Sequence, residues 1–214
     1  MKLQKKSISV APVAPKMVLV LRSCTADLTS HKGFKWPESG PISAPDWEPT
    51  PKCGNGLHGW LWGEGDGSVG NYDPDAKWLV VSVEESLLID LGGKVKYPSG
   101  EVVFCGDRFA AAKYVMENGG AGRKVISGTA TAGDRGTATA GDSGTATAGY
   151  RGTATAGIRG TATAGYSGVI SVLHWNGKRY KAKVATVKDE DGDGQLEPNV
   201  KYRLNDKGEF EVAK

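Results

Sequence analysis

The chain has 214 residues, with 27 Lys and Arg against 24 Asp and Glu and a net charge of +3 at pH 7. That balance is too weak to draw nucleic acid electrostatically, and the one clean apolar run, Met17 to Leu21, is far too short to span a bilayer. The odd, scattered Cys24, Cys53 and Cys105 fit reduced thiols better than a disulfide framework, so composition predicts a cytoplasmic protein with neither nucleic acid nor membrane as partner.

Residues 1–16 carry Lys2, Lys5 and Lys6, but Pro12, Pro15 and Lys16 interrupt what would be the apolar stretch of a signal peptide. They read as a disordered basic arm. An α+β head is expected over residues 17–120. Its strands are read at Val18 to Arg22, Lys77 to Val83 and Val102 to Cys105, which are short and rich in β-branched and aromatic residues. Turn-forming stretches at Trp36 to Pro41 and Gly63 to Gly70 separate them. One helix is expected at about 107–118: Asp107 supplies the N-cap, Phe109, Ala112, Val115 and Met116 share a face, and Gly119-Gly120 stop it. Its position before the repeat suits it to cover the first rung of a stacked array, whose ends expose unpaired backbone.

Residues 121–168 contain the octad Gly-Thr-Ala-Thr-Ala-Gly-x-x, five times in unbroken register from Gly128 to Ser167. A strict short period of small and β-branched residues predicts a stacked repeat. Two octads joined at glycine corners make a flattened coil of sixteen residues. Each TATA arm is about 13 Å long at roughly 3.3 Å per residue. Alternation sends Thr to one face and Ala to the other. Ala is assigned inward, because buried threonine hydroxyls would all need partners. Residues sixteen apart then align, so Thr129, Thr131, Thr145, Thr147, Thr161 and Thr163 form one outer surface and Thr137, Thr139, Thr153 and Thr155 the other. At the corners Tyr150 is expected to stack on Tyr166 and Arg135 on Arg151. Residues 169–214 alternate apolar and polar residues between turns at Asn176-Gly177, Asp191 to Gly194 and Asp206 to Gly208, the pattern of a β-hairpin cap. The expected fold class is mainly β: a small α+β domain, a short β-solenoid of 16-residue coils and a C-terminal β cap.

The octads resemble those of bacterial ice-nucleation proteins in the Ala-Gly-Tyr corner and the Thr-x-Thr arm, and Thr-x-Thr faces also resemble insect antifreeze solenoids. The resemblance implies the fold, and with it an ice-binding Thr surface as one expectation. Over nearly its whole length the chain also resembles a family of uncharacterised bacterial and phage proteins, in which an α+β domain of unknown function precedes such octads and a β tail closes them. The matching marks are Cys53-Gly-Asn-Gly-Leu-His58, Trp78 to Val83, Val102 to Asp107, Pro198 to Leu204 and Phe210 to Val212. Membership of such a family implies architecture rather than an activity.

In the head, Cys53 to His58 is the best site candidate, since its glycines admit a ligand to the backbone and Cys53 and His58 are a possible nucleophile and base. His31, Trp36, Trp47, Trp60 and Trp62 are expected around it. The Gly-Leu-His strand after a first strand ending in Arg22 faintly resembles the ADP-ribosyltransferase layout, but no catalytic Glu matches that pattern. Cys24, Cys53, His58 and Cys105 suffice in number for tetrahedral zinc but lack a Cys-x-x-Cys spacing. Asp189, Asp191, Asp193 and Gly194 copy half a calcium loop, whose twelfth position is Val200 instead of an acid. A DNA-mimic role fails because Arg135, Arg151 and Arg159 outweigh Asp134 and Asp142. The expectation is a non-enzymatic binding or assembly protein without metal or cofactor. In it the coil displays the head, and Tyr150 and Tyr166 pair two copies; the ligand is an unknown protein or small molecule. A small enzyme or ligand-binding head using Cys53 and His58 is the alternative.

Overall fold

The structure, a computed structural model, describes residues 14–214. The basic arm expected over residues 1–16 therefore lies outside the described residues except for its end. There the Lys16 carbonyl accepts from the Glu85 amide at 2.9 Å, and its ammonium meets the Glu85 carboxylate at 2.9 Å.

Seven antiparallel strands form the head sheet: β1 (Met17–Cys24), β2 (Gly40–Ser43), β3 (Leu57–Leu61), β4 (Lys77–Glu84), β5 (Ile89–Asp90), β6 (Val95–Tyr97) and β7 (Ser99–Gly106), in the order β2-β7-β4-β1-β3-β6-β5. The central β1 and β4 pair from Met17↔Glu84 to Cys24↔Lys77 and are nearly continuously buried, as apolar runs covered on both faces should be. One face packs Val20, Leu79, Val81 and Tyr97, and the other packs Leu21, Trp60, Trp78 and Val80 under helix α1 (Arg108–Val115). Asp107 caps α1, its carboxylate accepting from the amides of Phe109 and Ala110 at 2.9 and 3.0 Å.

The helix packs mainly on the head sheet and meets the first octad only at its end, where a Cβ on Gly128 would lie 3.1 Å from the Met116 sulfur. Its buried residues are Ala111, Ala112 and Val115, which pack into the head core with Leu21, Trp78 and Val80, whereas Phe109 is 53% exposed. The sheet offers α1 a wide apolar surface, and a rung of alanines offers little; burial follows area.

The octads fold into β8 (Thr129–Ala132), β9 (Thr137–Thr139), β10 (Thr145–Ala148), β11 (Thr153–Ala156), β12 (Thr161–Ala164) and β13 (Val169–Trp175). Parallel pairing at sixteen-residue intervals, Thr129↔Thr145↔Thr161 and Thr137↔Thr153↔Val169, stacks even and odd strands into two sheets. Alanine points inward: Ala146, Ala154, Ala156, Ala162 and Ala164 are fully buried between the sheets. The tail continues both sheets. β14 (Tyr180–Thr186) pairs with β13 throughout, and the ribbon of β15 (Tyr202–Leu204) and β16 (Phe210–Val212) meets β12 at Ala162↔Tyr202. Val187, Leu196 and Tyr202 close that end of the core. At the other end β8 is the sheet edge, with Ala130 and Ala132 only partly buried.

The corners hold a feature that composition hides. The residue before each octad glycine, namely Ser127, Arg135, Ser143, Arg151, Arg159 and Ser167, has φ between 53° and 60° and is never glycine. The amides of Ser127, Arg135, Ser143 and Arg151 donate across to the neighbouring rung, Arg135 to the Tyr150 carbonyl at 2.7 Å and Arg151 to that of Tyr166 at 2.9 Å. These bonds offset the roughly 1 kcal/mol that left-handed backbone costs a residue with a Cβ. The flanking glycines serve space instead: a Cβ on Gly152 would lie 2.8 Å from the Ala148 Cβ and 3.0 Å from the Gly136 carbonyl oxygen. The expected ring column is absent; among the described residues Tyr150 and Tyr166 form no aromatic pair, and the Arg151 guanidinium lies 5.0 Å from the Tyr150 ring.

One corner locks the head to the coil. The Asp142 carboxylate accepts from the Ile158 amide at 2.9 Å and from the Gly67 amide at 3.1 Å. Arg159 lies 4.2 Å from the Tyr72 ring, and the Tyr72 hydroxyl donates to the Gly67 carbonyl at 2.7 Å.

Candidate functional site

The head cleft is built where β3 runs beside β1. Arg22, late in β1, donates from its guanidinium to the His58 carbonyl at 2.6 Å and lies 4.5 Å from the Trp36 ring. Behind the cleft, Lys96 of β6 is wholly buried; its ammonium donates to the carbonyls of Lys52 and Gly54 at 3.0 and 3.5 Å and lies 5.6 Å from the Trp47 ring. Lys94 contacts the Cys53 sulfur at 3.1 Å. These contacts tie the Cys53 loop to β6 and leave a hollow of about 530 Å³ lined by Arg22, His31, Cys53, His58, Trp60 and Lys94.

The structure thus brings Cys53 and His58 to one cleft together with His31 and Trp60. Trp36 lines an adjoining hollow, and Trp47 supports the loop from beneath. Trp62 is elsewhere: it carries Arg123 at 5.2 Å and faces Gly119. Sequence reasoning noted Arg22 only as the end of the first strand, and it missed Lys94 and Lys96 as site residues. The alternation of Lys94 and Lys96 on one strand face is their only sequence signal.

Burial, reinforced by the positive charges of Lys94, Arg22 and Lys96, lowers the His58 pKa from the ordinary 6.5 to about 4. Its Nε2 is buried without a partner. The unfolded chain therefore gains this proton near pH 6.5 and the native chain only near pH 4, so stability falls as pH falls through that window. The expected outcome is a lower urea midpoint at pH 5 than at pH 7, with the difference reduced in His58→Gln. An equal slope in the variant would assign the loss to other groups.

The remaining candidates resolve into turns and separate thiols. The Asp189 carboxylate accepts from the amides of Asp191 and Asp193 at 3.0 and 2.8 Å, which makes it a turn cap. Among the described residues no three His, Cys, Asp or Glu side chains converge for a metal, so Cys24, Cys53, His58 and Cys105 do not form a zinc set. All three cysteines are free thiols.

On the coil, Thr129, Thr131, Thr145, Thr147, Thr161 and Thr163 form three ranks of two outer hydroxyls, and Thr161 donates to Thr145 at 3.1 Å. On the other sheet Thr137, Thr139, Thr153 and Thr155 occupy equivalent places, with Glu64, Gly65 and Lys124 of the head bordering Thr139 and Thr155.

Residues 18–117 match the family model described as Domain of unknown function (DUF7666). An ice nucleation protein of Pseudomonas fluorescens is 44% identical over 103 residues, which are 47% of this chain and 8% of that protein. One of Xanthomonas campestris pv. translucens is 38% identical over 103 residues, 47% of this chain and 7% of that protein. Ice nucleation protein InaA of Pantoea ananas is 30% identical over 131 residues, 55% of this chain and 10% of that protein. The chain thus spans at most a tenth of the length of these curated relatives. No solved structure matches. An N-terminal domain of unknown function is therefore joined to a region homologous to ice nucleation repeats, the latter covering about half the chain. These relatives also overturn the cytoplasmic expectation, because ice nucleation proteins are anchored at the outer-membrane surface. The absence of an apolar span was the wrong criterion. Among the described residues no helix is long and apolar enough to cross a membrane.

Proposed function

We propose that this is a non-enzymatic binding protein in which the octad coil is a rigid mount for the head and, through Tyr150 and Tyr166, an association surface for a second copy. The observation that carries the mount is the Asp142 carboxylate, which bridges the Gly67 amide of the head and the Ile158 amide of the next rung at 3.1 and 2.9 Å. A mount that swung freely would need no such bridge. Binding is favoured over catalysis because a histidine that takes a proton only near pH 4 is a poor general base for Cys53 at neutral pH. What supports the association is Tyr166, which is 44% exposed at a coil corner, tyrosine being a favoured interface residue. Light scattering should give a dimeric parent and a monomeric Tyr150→Ala, Tyr166→Ala variant. A monomeric parent, or a variant that stays dimeric, rejects the association.

A second reading, an ice-binding coil, is favoured by the regular Thr ranks together with the names of the relatives. The rungs repeat at about 4.7–4.8 Å, so three ranks make a template on the order of 10 Å high, enough for adsorption to ice and far short of a nucleating array. It predicts thermal hysteresis that disappears in Thr145→Tyr and Thr147→Tyr. A parent without hysteresis ends the reading.

A further inference from the structure

We propose that the head cleft bounded by β1, β3 and the Cys53 loop binds a small anion of the phosphate class, gripped by Arg22 and Lys94 in front of the buried Lys96. The inference goes beyond the mounting role and stands or falls separately from association of the coil.

The argument begins with charge. Lys96 is 0% exposed, and its partners are two carbonyls and a tryptophan face. Carbonyl dipoles solvate an ammonium but do not neutralise it, and a buried cation without a counter-ion is costly. Arg22 repeats the pattern: it has a carbonyl at 2.6 Å, an indole face at 4.5 Å, and an Nε that is buried with no partner. Lys94 has only the Cys53 sulfur. None of the ion pairs among the described residues includes Arg22, Lys94 or Lys96. Two carboxylates stand nearby without pairing to these cations: Asp46, which lines the adjoining hollow and accepts from the Gly56 amide, and Glu48, which accepts from the Asn55 side chain, each at 3.0 Å. Residues 1–13 contain no Asp or Glu to make up the deficit. Among the described residues the three cations of the cleft therefore lack a paired carboxylate.

The shape is that of a site. The hollow of about 530 Å³ lies within the size range of small-ligand pockets, and the adjoining one of about 310 Å³ shares Arg22, His31, Gly54 and His58 with it. A fixed guanidinium fork beside a mobile ammonium suits a phosphate, which takes paired bonds from the first and a point charge from the second. The loop backbone is open as well, for a Cβ on Gly54 would meet nothing within 4 Å. His58 reports on occupancy. The cations around it favour its neutral form, so an anion that offsets them would raise its affinity for a proton.

Isothermal titration of the full chain with inorganic pyrophosphate at low salt tests the proposal. Saturable binding is expected, weakened about tenfold in Lys94→Gln through loss of one charge-assisted contact and unchanged in Lys181→Gln, Lys183→Gln on the exposed strand β14. Citrate should bind more weakly than pyrophosphate, and pyrophosphate should shift the His58 imidazole signals toward the protonated form between pH 5 and 6. Absence of saturable binding at millimolar pyrophosphate, parent-like binding by Lys94→Gln, or loss of binding in the β14 pair overturns the site. Citrate binding as tightly as pyrophosphate overturns the phosphate class, and an unmoved His58 overturns the placement in this cleft. Lys94 is half-buried and its side chain bonds only to Cys53, so exchange for the similarly sized glutamine is expected to leave the fold intact.

Discussion

Replacing Gly59 with alanine is expected to unfold the head. Gly59 lies in β3 where it crosses β1, and a Cβ there would sit 2.5 Å from the Val20 Cγ1 and 2.6 Å from the Leu21 carbonyl oxygen. The first contact is with a side chain that is 0% exposed and has nowhere to turn. The second is with ladder backbone, which moves only if β1 leaves β4. Relief therefore demands a shift of the central strand pair, at a cost on the order of 3 kcal/mol or more. That is a large fraction of the stability of a domain this size. Urea unfolding followed by tryptophan fluorescence should show Gly59→Ala losing the head transition or shifting it far down, and a midpoint equal to the parent's would show that β3 has room to spare. Because β3 also carries His58, loss of this crossing removes the cleft along with the fold.

Legibility from the sequence varied with the range of the interaction concerned. The octad period and the alternation of Thr with Ala are local, and they were enough to give parallel pairing at sixteen residues and an alanine interior. Strands β1, β4 and β7 were readable from the short apolar stretches within them, Val18 to Leu21, Trp78 to Val81 and Val102 to Cys105. Strands β2 and β5 were not: Gly40–Ser43 includes a proline and Ile89–Asp90 has two residues, so pairing alone makes them strands. Of the helix face read from the sequence, Ala112 and Val115 are buried and Met116 packs beside them, while Phe109 is exposed because the tightly packed sheet accepts the smaller Ala111 instead. Of the cleft, Cys53 and His58 were legible as a motif. Arg22, Lys94 and Lys96 come from distant strands and gain meaning only from the β1-β3-β6 order. The left-handed corners were invisible because Arg and Ser fill a position where glycine is the usual sign.

The coil core should reverse its size preference between adjacent rungs, and two substitutions in one column expose this. Ala154 and Ile170 are register partners in the stack, both fully buried, one in a rung lined by alanine and the other where the tail widens the core. Around Ile170 the wall is Val172, Ala185, Val187, Leu196 and Tyr202. Truncation in Ile170→Ala leaves a cavity among these larger groups, for a loss of about 2–4 kcal/mol. In Ala154→Ile the opposite occurs. Ala146, Ala148, Ala162 and Ala164 belong to the same fully packed core, and added methylenes push the sheets apart at a cost of about 1–3 kcal/mol. The double exchange does not restore either, because the spacing is set by backbone corners: Gly152 cannot accept even a Cβ without moving Ala148. Thermal unfolding should therefore show both single variants destabilised and the exchange close to their sum. An exchange as stable as the parent would mean that the side chains, rather than the glycine corners, set the width of the coil. A coil of fixed width explains why Thr and Ala repeat without drift: no larger inward residue fits until the tail ends the stack, and the outer hydroxyls remain in register as a consequence.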